Sequence, residues 1–201
     1  MEQKCLGLIV GHTDRNQGAR SATGYTEYSY NSDVARLARD YAFKKGYKCR
    51  VIYRDIVGIR GAYAEAREHC DVVIELHFNA FQNKRVKGTE TFCTKDEIDI
   101  EFAHHVHKKI CKVFKRENLS RNVKPISEGR GHYNMTLFPK GHNILVEPFF
   151  GTNEIEANFA LEQKSEYAIA LVDAFAAFFD IKPIEKPKKK KSNWLTRLFR
   201  W

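Results

Sequence analysis

No run of eighteen apolar residues occurs in the 201-residue chain, which excludes a transmembrane helix. The first apolar stretch, residues 5–10, is too short for the core of a signal peptide. The sequence therefore reads as a chain that starts near Met1 in the cytoplasm. No CxxC pair joins the five cysteines, at 5, 49, 70, 93 and 111. An odd count without short spacing excludes a disulfide framework and a structural zinc knuckle, and predicts buried free thiols. Acid is missing from residues 186–201, which hold five Lys and two Arg. The net charge of +9 thus resides mostly in this tail and leaves +2 for residues 1–185. A nearly neutral body makes no compositional case for nucleic acid as a partner.

What is present is ordinary for one globular domain: 43% hydrophobic and 29% charged residues, enough for a full core. The short apolar runs at 5–10, 47–53, 72–76 and 143–147 read as buried strands, and 88–93 as a further one. Between them lie helical patterns at 31–45, 59–69, 95–116 and 165–179. The first carries Val34, Leu37, Ala38 and Tyr41 at helical spacing and ends at Gly46. Thr94 and Glu97 suggest a capping box for the third, with Ile98, Phe102, Val106, Ile110 and Val113 as its core face. Residues 118–141 are poorly patterned and read as an irregular connection near the site. The alternation predicts an α/β fold: a single domain over 1–181, with a largely parallel twisted sheet flanked by helices. Residues 182–201 form a linker, with Pro183 and Pro187, and a basic C-terminal tail.

The residues just beyond the strands carry the chemistry. Gly11-His12 follows the first strand, His77-Phe78-Asn79-Ala80 follows the third, and Glu147 ends the run 143–147. In an open α/β sheet, ligands bind beyond the carboxyl ends of the strands. If these strands are parallel, two imidazoles and a carboxylate meet at one edge. Catalytic zinc needs three protein ligands and an open position. The third ligand belongs in a loop on the same edge. Glu27 fits best; Asp14, two residues from His12, and Glu75, deeper in its strand, are rivals.

The other histidines have plainer readings. His104, His105 and His107 fall on the solvated face of a helix, and His69 ends another, where a cation suits the dipole. His132 and His142 lie in the irregular stretch, where either could touch substrate.

The ordered motifs resemble the zinc-dependent N-acetylmuramoyl-L-alanine amidases of the amidase-3 type. The resemblance rests on Leu8-Ile9-Val10-Gly11-His12, on Glu27 before the first helix, and on Ile74-Glu75-Leu76-His77-Phe78-Asn79-Ala80. It continues through Gly88-Thr89-Glu90 and the run Leu145-Val146-Glu147-Pro148-Phe149-Phe150-Gly151-Thr152-Asn153. Two positions depart from the family pattern: Glu75 stands where Ser is usual, and Pro148 follows the Glu. The resemblance covers residues 5–180 and implies Zn²⁺ held by His12, Glu27 and His77, with Glu147 as catalytic acid/base. It implies peptidoglycan as substrate, cut at the amide between N-acetylmuramic acid and L-alanine. Two rivals stand beside it. One is another zinc amide hydrolase of carboxypeptidase-like type, which needs an arginine clamp for a free carboxylate. The other is a non-enzymatic wall- or membrane-binding protein, which has no use for Glu147.

The tail follows Lys188, Lys189, Lys190 and Lys191 with a helical-wheel arc of Trp194, Leu195, Leu198, Phe199 and Trp201, opposite Asn193, Arg197 and Arg200. That is a basic amphipathic segment suited to an anionic membrane surface. An amidase domain with such a tail and no signal peptide looks like a phage or prophage endolysin. Such an enzyme is a monomer held in the host bacterial cytoplasm until it is released to the cell wall.

Overall fold

A computed structural model describes residues 3–116 and 121–183. Its strands are β1 (Cys5–Val10), β2 (Lys48–Ile52), β3 (Val72–Leu76), β4 (Glu90–Cys93), β5 (Val123–Pro125) and β6 (Asn143–Glu147). Its helices are α1 (Glu27–Lys45), α2 (Gly58–His69), α3 (Glu97–Val113), α4 (Gly129–Thr136), α5 (Glu154–Glu162) and α6 (Lys164–Phe178). The strands form one sheet in the order β2-β1-β3-β6-β4-β5.

The four strands β2, β1, β3 and β6 run parallel, as their apolar runs predict for a sheet buried on both faces. The sheet is mixed, however: β4 pairs antiparallel with β6, and β5 runs parallel to β4. Leu6, Leu8 and Val10 point to the larger core, with residues of α1, α3 and α6, while Ile9 and Val73 point to a smaller one with Tyr63 of α2. The period of two along β1 thus assigns its side chains to two helical layers.

Several local expectations are corrected. Glu27 is the first residue of α1 and not a loop residue, because Thr26 caps the helix and exchanges hydrogen bonds with Ser29. Thr94 does not cap α3; Asp96 does, accepting from the Ile98 amide at 3.0 Å. The Thr94 hydroxyl instead donates to Asp99, whose other oxygen accepts the Asn143 amide and ties α3 to β6. On α3, Ile98 is exposed, whereas His107 is buried and bonded to the Thr91 hydroxyl at 2.9 Å. The face read as solvated is therefore split. The stretch 118–141 holds β5 and α4, and α5 is a short helix that its sequence pattern did not announce. The thiols are free, with Cys70, Cys93 and Cys111 buried but Cys5 and Cys49 only partly so. Among the described residues no helix is long and apolar enough to cross a membrane. The basic amphipathic segment expected at 186–201 lies outside the described residues.

Candidate metal centre

Because β1, β3 and β6 are adjacent and parallel, their carboxyl ends open on one edge. His12 lies two residues beyond β1, His77 one residue beyond β3, and Glu147 is the last residue of β6. Glu27 reaches the same edge from the start of α1. Its Oε1 accepts the Ala19 amide at 3.0 Å, which turns Oε2 toward the histidines. That oxygen stands 3.2 Å from His12 Nε2 and 3.0 Å from His77 Nδ1.

The glycines nearby are required by close approach. A Cβ on Gly11 would lie 2.4 Å from the Leu76 carbonyl oxygen and 2.6 Å from the His77 ring. One on Gly18 would lie 2.5 Å from the His12 ring, and Gly18 has φ +74°. His12 itself has φ 67°, a left-handed conformation that non-glycine residues adopt at a cost. Backbone strain and two glycine contacts therefore aim one imidazole at the other. The ring centroids are 5.1 Å apart with planes at 74°.

One ligand atom from each of His12, Glu27 and His77 falls within a 4.8 Å span. Ligands of a tetrahedral zinc, each about 2.0–2.1 Å from the metal, sit roughly 3.3 Å from one another. The oxygen–nitrogen spacings of 3.0 and 3.2 Å fit that geometry. The donor set, two neutral imidazoles and one carboxylate, fits a catalytic zinc site. The rivals fall away. Asp14 is exposed and outside the cluster. Glu75 is fully buried and bonds His77 from the far side, at Nε2.

The clustered residues carry the electrostatic marks of a shared site. Burial opposes ionisation of Glu27, yet the hydrogen bonds from His12 and His77 hold its carboxyl down at about 2. Burial likewise opposes the His77 imidazolium, but bonds to Glu27 and Glu75 lift it to about 10. A cation in place of the proton between His77 and Glu27 satisfies the same Glu27 carboxylate. Glu147 behaves in the opposite way. Burial, with the neighbouring charges of Glu27 and Glu90, pushes its carboxyl up to about 7. That is the value suited to a group that takes and returns a proton near neutral pH.

His12, His77 and Glu147 open into a cleft of about 960 Å³, lined further by Arg54, Ile59, Phe92, Ile126, Tyr133 and Asn134. The residues after Glu128 that form α4 supply one wall, and reading the sequence did not find Tyr133, Asn134 or Arg54. Tyr133 and Asn134 are placed by the packing of α4 against α2, and Arg54 by its bond to Glu75, which no local pattern encodes. His142 is not a cleft residue. It precedes β6 at the opposite end of the sheet and packs on Phe102, Phe178 and Phe179. His132 lies on α4 but does not line the cleft.

The N-acetylmuramoyl-L-alanine amidase family of the amidase-3 type matches residues 7–177. The chain belongs to this family. No curated protein matches the sequence. Among solved structures, the catalytic domain of the amidase CwlV from Bacillus (Paenibacillus) polymyxa var. colistinus is 18% identical with TM-score 0.76, covering 90% of this chain and 100% of that one. An N-acetylmuramoyl-L-alanine amidase from Clostridium difficile 630 is 19% identical with TM-score 0.73, covering 89% and 97%. The catalytic domain of the CD27L endolysin, which targets Clostridia difficile, is 21% identical with TM-score 0.69, covering 91% and 100%. At these identities the likeness concerns the fold. Family and cluster together make the chain a zinc-dependent N-acetylmuramoyl-L-alanine amidase, a peptidoglycan hydrolase. In this amidase the three proposed zinc residues are the ones brought within reach of a single ion.

Proposed function

We propose that the amidase cuts the bond between the lactyl carbonyl of N-acetylmuramic acid and the amine of L-alanine, with Glu147 as its proton carrier. The observation that carries this reading is the Glu147 carboxyl: it shares the cleft of His12 and His77, and burial holds it near 7. When bound, zinc supplies a Lewis acid that polarises a carbonyl and makes water nucleophilic near neutral pH. His12, Glu27 and His77 would hold it. Glu147 takes a proton from the attacking water and delivers it to the departing alanine nitrogen. Its neighbour Glu90 is paired with Arg121 and Lys124 and bonded by Asn79, so a fixed polar frame stands beside the working carboxylate.

The carboxypeptidase alternative needs an arginine free to grip a terminal carboxylate. Arg54 lines the cleft, but its guanidinium is engaged by Glu75 at 3.1 Å, which favours the amidase reading. Mass spectrometry of digested peptidoglycan tests the bond. Stem peptides with a new L-alanine amino terminus support it, and release of single carboxy-terminal residues overturns it.

We further propose that the enzyme serves as an endolysin, held in the host cytoplasm and released to the wall. The likeness to the CD27L catalytic domain and the seven cations of residues 186–201 support this role. Lys188 to Lys191, Arg197 and Arg200 would meet anionic lipid, while Trp194, Phe199 and Trp201 enter the interface.

A further inference from the structure

Within the apolar run of β3, Glu75 is a carboxylate with no exposed surface, and it faces the smaller core beneath α2 and α4. A charge in that position is costly unless its oxygens are fully bonded, and both are. Oε1 accepts from Arg54 Nη1 at 3.1 Å, from Asn134 Nδ2 at 3.0 Å, and lies 3.0 Å from His77 Nε2. Oε2 accepts from the Tyr63 hydroxyl at 3.0 Å and from Asn134 Nδ2 at 3.1 Å. The Arg54 guanidinium and the Asn134 NH₂ can only donate, and they reach both oxygens, so the carboxylate acts as an acceptor throughout. The His77 ring must then present a proton at Nε2. The proton a metal would displace is then the one at Nδ1, on the side of the ring where Glu27 and His12 stand and at the atom that belongs to the metal cluster.

We propose that Glu75 is a positioning residue for the zinc centre: it fixes the proton of His77 on Nε2 and locks the ring so that Nδ1 faces the metal. The inference rests on the zinc reading of His12, Glu27 and His77. The same carboxylate fastens Arg54 and Asn134, two residues that line the cleft. It thereby couples the metal-holding strand to the α4 wall. Outer-shell carboxylates on metal-bound histidines are worth about 10- to 100-fold in metal affinity.

The substitution Glu75→Gln keeps the shape but replaces an acceptor with an amide. In one orientation its NH₂ faces His77 and favours the wrong tautomer; in the other it faces Tyr63 and Asn134. Zinc affinity of the full chain, measured by competition with a chelator, is expected to weaken about 10- to 100-fold. Tyr63→Phe removes a different partner of the same carboxylate and serves as the control. It should lower thermal stability and leave the zinc dissociation constant within about twofold. A Glu75→Gln variant, folded by circular dichroism, that binds zinc as tightly as the native chain overturns the proposal. So does a Tyr63→Phe variant that loses affinity equally, because the effect is then general loosening. A readout on the native chain does not depend on any variant folding. In zinc-loaded protein, nitrogen-15 spectra should show the His77 proton on Nε2 and slow to exchange. A proton on Nδ1 overturns the proposal, and a native chain that binds no zinc overturns it together with the metal reading.

Discussion

On one side of the cleft, β1, β3 and the start of α1 hold His12, Glu27 and His77 by means that leave no slack. Two glycines are pressed against imidazole rings, and His12 sits in a left-handed conformation. Glu27 and His77 each have a further bond behind them, from the Ala19 amide and to Glu75. On the other side, β6, the residue after β5 and α4 present Glu147, Ile126 and Tyr133 across an open wall. Tyr133 is 43% exposed, and its hydroxyl accepts from Arg60 Nε at 2.7 Å. The contrast shows a division of labour. A metal tolerates little error in ligand position, so its side is built by backbone contacts. A substrate wall needs shape and a few polar groups, so a short surface helix is enough.

The largest effect should come from breaking the metal side. His77→Ala is expected to lose stoichiometric zinc and all measurable hydrolysis. Elemental analysis checks this, and a full zinc equivalent in the variant would remove His77 from the ligand set. Glu147→Gln is next. It should fold, keep its zinc, and lose about 10²- to 10⁴-fold in kcat. Loss of metal in that variant would make Glu147 a ligand instead.

The pH profile sharpens the same point. The Glu147 carboxyl is raised to about 7 by burial, and it accepts a proton only when ionised. As pH falls below about 7, kcat/KM should therefore decline, about tenfold per unit. A profile flat from pH 8 to pH 5 would exclude this carboxyl as the base.

Gly11→Ala probes the tightness of the metal side without touching a ligand. Its Cβ would fall 2.4 Å from a strand carbonyl, so the backbone must shift. A loss of about 1–3 kcal/mol in thermal or denaturant unfolding is expected, and a neutral change would mean the edge is softer than its contacts imply. On the opposite wall, Tyr133→Ala should raise KM severalfold with kcat unchanged, the signature of lost uniform binding. An equal fall in kcat would place Tyr133 in the transition state. The smallest effect on hydrolysis should come from ending the chain at residue 183. That variant is expected to digest purified peptidoglycan at the native rate and to lose binding to anionic vesicles. Equal vesicle binding by the shortened chain would end the membrane reading of the tail.

The strands of the parallel core were legible because a strand buried on both faces is a near-continuous apolar run, and Leu6–Val10, Val72–Leu76 and Ile144–Val146 are such runs. The residues just after each run were legible for the same reason, which is how His12, His77 and Glu147 came into view. The start of α1 was misplaced. Thr26-Glu27 resembles loop sequence, and only the reciprocal bonds of Thr26 and Ser29 reveal a cap. The antiparallel turn of β4 was hidden, since strand direction depends on the partner β6 and not on Glu90–Cys93 itself.

By itself, then, the sequence determined the layered α/β class, the end of each central strand and the residue types offered there. Periodicity and apolar run length act locally and need no partner. Tertiary structure alone decided three things. It placed β1, β3 and β6 side by side, so that three separated residues share one edge. It folded 129–136 into a helix that closes the cleft. And it surrounded Glu75 with Arg54, Tyr63, His77 and Asn134, turning an acid that looks misplaced in an apolar strand into the fully bonded support of a metal ligand. Those outcomes rest on contacts between residues far apart in the chain, and a buried charge is tolerable only where such contacts bring it all its donors.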